Sequence, residues 1–321
     1  MSTNAAAPTE KTPKRFHPYQ ISIAIGVGMG TFTLFSGIIP QFTHWHGTSE
    51  MSREVFEGIP GPIQAAFYTI IPAMIIWGSF KFADRMRNWE RGAPDRRRTT
   101  PKNAKRRLAD YRAGVYMRTL LRDSAAGLMH SMMYFGFLIL LGVTTVLEVD
   151  HQLPESLKFL HGGVYQGYVM FGDFAGLVFT IGVLWAIIRR YVQQPYRIRI
   201  KTKAEHGIIL ACMLLIGLSG FGAEMFRIAV STAEGKNMAF ESWSFIGYPL
   251  SQLVKGASLH SLENWHQAMW VLHVVAFIGF LALLPLTMLR HIFTSPLNMY
   301  LKDRDRPKGA MKDMPKLTET S

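Results

Sequence analysis

Apolar residues fall into six long blocks along the chain, near residues 21–39, 63–80, 124–147, 164–188, 206–228 and 264–291. Crossing about 30 Å of hydrocarbon takes roughly 20 apolar residues in a helix, and each block meets or approaches that length. None keeps the polar face that a soluble amphipathic helix turns toward water. The pattern predicts an all-α protein, a polytopic membrane bundle of six transmembrane helices. The first block is too long for the apolar core of a signal peptide, and no small-residue cleavage site follows it. The chain then divides into an N-terminal tail (1–18), a six-helix membrane domain (19–293) and a C-terminal tail (294–321).

The polar positions between the blocks carry charge of one sign on one side. Only 18% of the 321 residues are charged, against about 25% in a soluble domain, and 35 Lys+Arg against 22 Asp+Glu leave a formal +13. Counting alternate connections, 29 of the Lys and Arg outside the blocks fall on one side and 4 on the other. The positive-inside rule assigns the rich side to the cytoplasm. Both termini are therefore expected inside, in a multi-pass protein of a prokaryotic cytoplasmic membrane. Topology accounts for the basic excess, so nucleic acid is not called for. The run Arg85–Arg122, with Arg96-Arg97-Arg98 and Lys105-Arg106-Arg107, suits anionic lipid head groups; a docking face for an acidic partner is the sharper reading. A single cysteine, Cys212, rules out a disulfide framework, a CxxC zinc site and a cysteine-ligated iron–sulfur cluster within this chain.

Of the eleven histidines, His130 and His273 lie well inside blocks, and His291 stands at the inner end of the last one. An ionisable group at membrane depth is a functional candidate by default. Paired neutral imidazoles between apolar helices suit axial ligation of heme iron, because imidazole is a good iron ligand and the porphyrin fills the apolar gap. At 1.5 Å per residue, His130 lies roughly 9 Å into the third block, the level expected for His291. His273 precedes His291 by eighteen residues. On a continuous helix that is five turns, or about 27 Å toward the outer face, with both rings on one side. The expectation is heme b, one copy or two: an inner heme on His130 and His291, and an outer heme on His273. For the outer partner, Leu140 occupies the position ten residues beyond His130, and the outer-side histidines are His44, His46, His151, His161, His260 and His266. His161, followed by Gly162-Gly163, is chosen. A single heme, or a His161–His266 pair, stays open.

His273-Val-Val-Ala-Phe-Ile-Gly-Phe-Leu-Ala-Leu-Leu-Pro285-Leu-Thr-Met-Leu-Arg290-His291 resembles the last helix of the nitrate reductase gamma-subunit family of diheme b cytochromes. Within that family the chain is similar to the membrane domain of heterodisulfide-reductase-like quinone oxidoreductases, including electron-transfer-flavoprotein:menaquinone oxidoreductases. Ser219-Gly220-Phe221, Glu224 and Arg227-Ile228 resemble a Thr-Gly-Phe…Glu…Arg-Ile pattern of that subgroup. The resemblance covers roughly residues 60–300, and the first block looks like an addition. It implies His130 and His291 as inner-heme ligands and His273 as an outer-heme ligand, while Leu140 departs from the family's histidine. It also implies a cytoplasmic iron–sulfur domain or subunit as partner, on another chain or beyond residue 321, with electron-transfer flavoprotein as a donor and menaquinone as the quinone.

Asp173 interrupts the fourth block, and Glu224 and Arg227 sit toward the outer end of the fifth. A quinone site needs an apolar slot, hydrogen-bonding groups and a proton route, and Asp173 with Glu224 could carry protons there. The plainer readings are a local polar contact for Asp173 and a Glu224–Arg227 ion pair three residues apart. These features together predict the membrane subunit of a quinone oxidoreductase, carrying electrons between a cytoplasmic partner and the menaquinone pool. No residue acts as a nucleophile, and heme iron is the only metal expected. The contrary reading is a non-redox transporter or anchor subunit, hinted at by Pro285 and the glycines of the first block.

Overall fold

The computed structural model of the protein describes residues 17–43, 52–89, 91, 100–118 and 120–301. All regular structure among them is helical. The ten α-helices are α1 (Pro18–Thr43), α2 (Gly61–Trp89), α3 (Pro101–Val115), α4 (Ser124–Gln152), α5 (Gly162–Ile187), α6 (Tyr196–Arg199), α7 (Ala204–Ala233), α8 (Gly247–Leu253), α9 (Leu259–Leu286) and α10 (His291–Leu301). Five helical segments are long and apolar enough to cross a membrane: α2, α4, α5 with its extension to Gln193, α7 and α9. The apolar stretch of α1, Tyr19–Phe35, is shorter and packs along α2.

The bundle is held by close helix pairs, α1 on α2, α4 on α5 and α7 on α9, with α2 on α9 and α5 on α7 joining them. Gly136 makes the α4–α5 contact possible. A Cβ there would lie 2.8 Å from the Cβ of Phe179 and 3.0 Å from its backbone. Around this crossing Phe179, Val183, Leu210, Met213 and Phe280 form the main buried cluster, with Leu140 packed against it. Large apolar side chains also point outward, Phe32, Phe174 and Val275 among them, as lipid-facing positions do.

Local chemistry sets the helix ends. Asp123 caps α4 by accepting from the Ala126 N–H at 3.1 Å, and Thr100 with Pro101 opens α3. The basic run thus folds in part into a surface helix, α3, which packs on α10; Arg96, Arg97 and Arg98 lie outside the described residues. The last predicted span is not one helix. Proline has no N–H to give the ladder, and after Pro285 α9 stops at Leu286. Thr287 turns extended and caps a short 3₁₀ turn, Met288–Arg290, and α10 restarts at His291. The five-turn count from His273 to His291 therefore does not run through continuous helix.

Candidate functional site

The helix break places His291 across from His130 of α4. Their ring centroids are 6.1 Å apart, with ring planes at 59°. A metal bonded to one nitrogen of each of two imidazoles at about 2 Å sets the ring centres roughly 6 Å apart. Nδ1 of His291 lies 2.8 Å from the Met288 carbonyl. A carbonyl only accepts, so this nitrogen carries the proton and Nε2 keeps its lone pair, the second-shell arrangement of a metal-binding histidine. Nδ1 of His130 is buried without a hydrogen-bond partner. Both rings line a cavity of about 230 Å³ whose other walls include Met129, Met133, Phe137, Leu210, Met213 and Leu289. An apolar slot between two imidazoles, one of them with an orphaned buried nitrogen, fits a heme with two axial histidines.

The outer level is built differently. His273 faces α7, with Nδ1 3.1 Å from the Ile216 carbonyl and 3.1 Å from Ser219 Oγ, and a Cβ on Gly220 would lie 3.3 Å from its ring. His161 is the exposed N-cap of α5. It stands fifteen residues before Gly176, the residue that packs on Phe221 of α7, about 22 Å along the helix. No ring contact or hydrogen bond joins His161 to His273 among the described residues. His266 is buried with one nitrogen 3.3 Å from the Ala223 carbonyl and the other 3.0 Å from that of Glu57, so neither is free to ligate. His260 is exposed and bonded to Asn264, and His151 stacks edge-on with Phe56. His44 and His46 lie outside the described residues. Where the outer-heme partner of the diheme pattern would stand, Leu140 belongs to the apolar cluster, beside Phe137 and Phe280 whose rings are 5.2 Å apart.

Asp173 and Glu224 do meet. Asp173 is buried and accepts from Ser244 Oγ at 2.9 Å, the Ile246 N–H at 2.6 Å and the Gly247 N–H at 3.3 Å. Ser244 Oγ is also 3.0 Å from Glu224 Oε1. The hydroxyl has one proton to donate. If it goes to Asp173, the Glu224 contact is a hydrogen bond only when Glu224 is itself protonated and donates to Ser244. The arrangement is a carboxyl pair bridged by a hydroxyl. Sequence reasoning missed Ser244, Ile246 and Gly247, which belong to the segment between α7 and α9 that turns back into the bundle. A Cβ on Gly247 would sit 2.5 Å from the Glu224 carboxyl carbon, so the close approach needs glycine, but no motif in the sequence marked it. The expected Glu224–Arg227 pair is replaced by another: Arg227 bonds to Glu241 at 2.8 Å, both fully buried, and Tyr165 donates to the same carboxylate at 2.8 Å.

The family model described as nitrate reductase gamma subunit matches residues 116–306. The EtfAB:quinone oxidoreductase of Syntrophomonas wolfei subsp. wolfei is 31% identical over 196 residues, covering 60% of this chain and 27% of that protein. The probable iron-sulfur-binding oxidoreductase FadF of Bacillus subtilis is 24% identical over 186 residues, covering 56% of this chain and 24% of its own length. The chain thus spans about a quarter of the length of these curated relatives. No solved structure matches.

Proposed function

The chain belongs to the nitrate reductase gamma subunit family, and from that premise we propose that this membrane electron-transfer module carries electrons between a cytoplasmic redox partner and menaquinone. The observation that carries the reading is the pair His130 and His291, 6.1 Å apart across an apolar cavity. A heme bound there supplies a one-electron carrier whose potential the protein sets. His130 and His291 would hold it, the Met288 carbonyl fixes the His291 tautomer, and the methionines and Phe137 exclude water. Among the described residues His273 meets Ser219 and the Ile216 carbonyl and no second imidazole, and Leu140 belongs to the apolar cluster. The reading is therefore one heme per chain.

Asp173, Ser244 and Glu224 serve the quinone, holding a proton at the Glu224 carboxyl where a quinone oxygen can take or give it. The relatives named for EtfAB and for iron–sulfur binding support an iron–sulfur partner, and an electron-transfer flavoprotein behind it, at the basic end. That end is assigned to the cytoplasm by its lysines and arginines, as in a prokaryotic cytoplasmic membrane. The test is heme stoichiometry with redox spectra on the purified full chain. One low-spin heme per chain is expected, lost completely in His130→Ala and again in His291→Ala, and retained in His161→Ala. A colourless wild-type protein from heme-replete cells overturns the proposal, and two hemes overturn its count.

A further inference from the structure

The lining of the His130–His291 cavity is not wholly apolar: Arg189, Arg190 and His206 take part in it. The backbone explains how two consecutive arginines reach one cavity. Beyond Ile187 the chain runs through a π-helical turn, Ile188–Gln193, closed by Gln194 in the left-handed region at φ 44°. The i→i+5 turn is wider than an α-turn, and such turns concentrate at functional sites.

Of the two arginines, one has only a long contact to a carboxylate and the other has none among the described residues. Nε of Arg189 is buried with no partner. Its Nη2 reaches Asp123 only at 3.5 Å, and that carboxylate is 62% exposed. Arg190 donates to a neutral group, Thr202 Oγ1, at 3.1 Å. Nδ1 of His206 lies 3.1 Å from the Lys203 N–H and 3.3 Å from the Lys203 carbonyl; in the tautomer that accepts from the N–H, Nε2 carries the ring proton as a further donor. Two guanidinium groups beside an apolar cavity are costly without a counter-charge, and their planar forks match carboxylates.

We infer that Arg189, Arg190 and His206 form a carboxylate clamp that binds the two propionates of the heme held by His130 and His291. The inference rests on the heme reading above and adds the edge of the ring to its axial ligands. It fixes the direction of the porphyrin, with the propionates toward the π-turn and the start of α7. It also assigns the arginines an electrical role. Ionised propionates favour the ferric state, whose iron carries the extra positive charge, and neutralising them shifts the balance toward the ferrous state.

The test uses the full chain purified in detergent, with heme content, midpoint potential and heme transfer to an apoprotein acceptor as readouts. Arg189→Gln and Arg190→Gln keep both axial imidazoles, so each should retain the Soret band. Each should show a lower midpoint potential and release heme about tenfold faster, the loss of one charge-assisted contact. Wild type produced in a heme-auxotrophic host and supplied with iron protoporphyrin IX should hold it at least tenfold more tightly than its dimethyl ester, which has no carboxylates. The double arginine variant should lose that preference. Unchanged potentials with no preference for the free acid overturn the clamp and leave the heme standing; a lipid phosphate on the arginines gives that result. A wild-type protein without heme overturns both readings. Should the arginine variants fail to accumulate, the ester comparison on wild type decides alone.

Discussion

Ser244 presents one proton to two carboxyl oxygens at 2.9 and 3.0 Å, and the count of donors around Asp173 says where the next proton goes. Two backbone N–H groups already donate to Asp173, so the transferable proton is proposed for Glu224. Glu224→Gln keeps the shape and removes the transferable proton. Quinone turnover should fall by about 10²–10⁴, the usual contribution of a general acid, with the heme spectrum unchanged. Infrared spectra should lose one protonated-carboxyl band in Glu224→Gln. Persistence of that band would move the proton to Asp173. At this scale the sequence showed both acids, because charge inside an apolar block is conspicuous. It could not show Ser244 or the two amides, which join the cluster only through the return of a segment that carries no motif of its own.

The helices themselves were legible from block length, and their interruptions were not. Pro285 was visible, but whether a proline kinks or ends a helix depends on what accepts the freed groups. Here Thr287 decides it: its hydroxyl donates to the Leu283 carbonyl at 2.6 Å and accepts from the Leu289 N–H at 3.2 Å. Thr287→Val removes this cap, at a cost of about 1 kcal/mol. Because the 3₁₀ turn that it caps carries the Met288 carbonyl bonded to His291, heme retention should weaken alongside thermal stability; loss of stability with heme retention intact would separate the cap from the site. Gly136→Val tests the other end of the range. Its side chain has to enter the backbone of Phe179 rather than a flexible tip, which costs about 1–3 kcal/mol in a packed core. A melting-temperature drop of several degrees is expected, with the potential of any retained heme unmoved. The π-turn had no sequence signal beyond adjacent arginines, which in a membrane protein read first as topogenic charge.

The two ends of the molecule are stabilised by different means, and acid separates them. At the basic end cations face a cavity, whereas at the opposite end they are paired. Glu57, in the connection before α2, accepts from Ser231 at 3.1 Å and from Lys236, and so ties that connection to the end of α7. Its carbonyl also meets His266 of α9. Burial works to raise the Glu57 pKa, but the hydrogen bond and charge of Lys236 and the Ser231 hydroxyl outweigh it and hold the carboxyl below its ordinary 4.5. A carboxyl depressed in the folded state adds stability that is complete above its unfolded value and is lost as pH falls through the folded one. Lys236 is shifted upward by its hydrogen bonds to Glu57 and Glu234. Its share is present below the unfolded value of 10.5 and is lost as pH rises above it. The tie is therefore at full strength from about pH 4.5 to about pH 10.5. Melting curves of the detergent-solubilised protein should fall off below pH 4.5. Glu57→Gln should lower the neutral plateau and flatten that acid limb, because glutamine has no charge to lose. An acid limb of undiminished slope in Glu57→Gln would assign the acid sensitivity to other carboxyls and leave the tie a spectator.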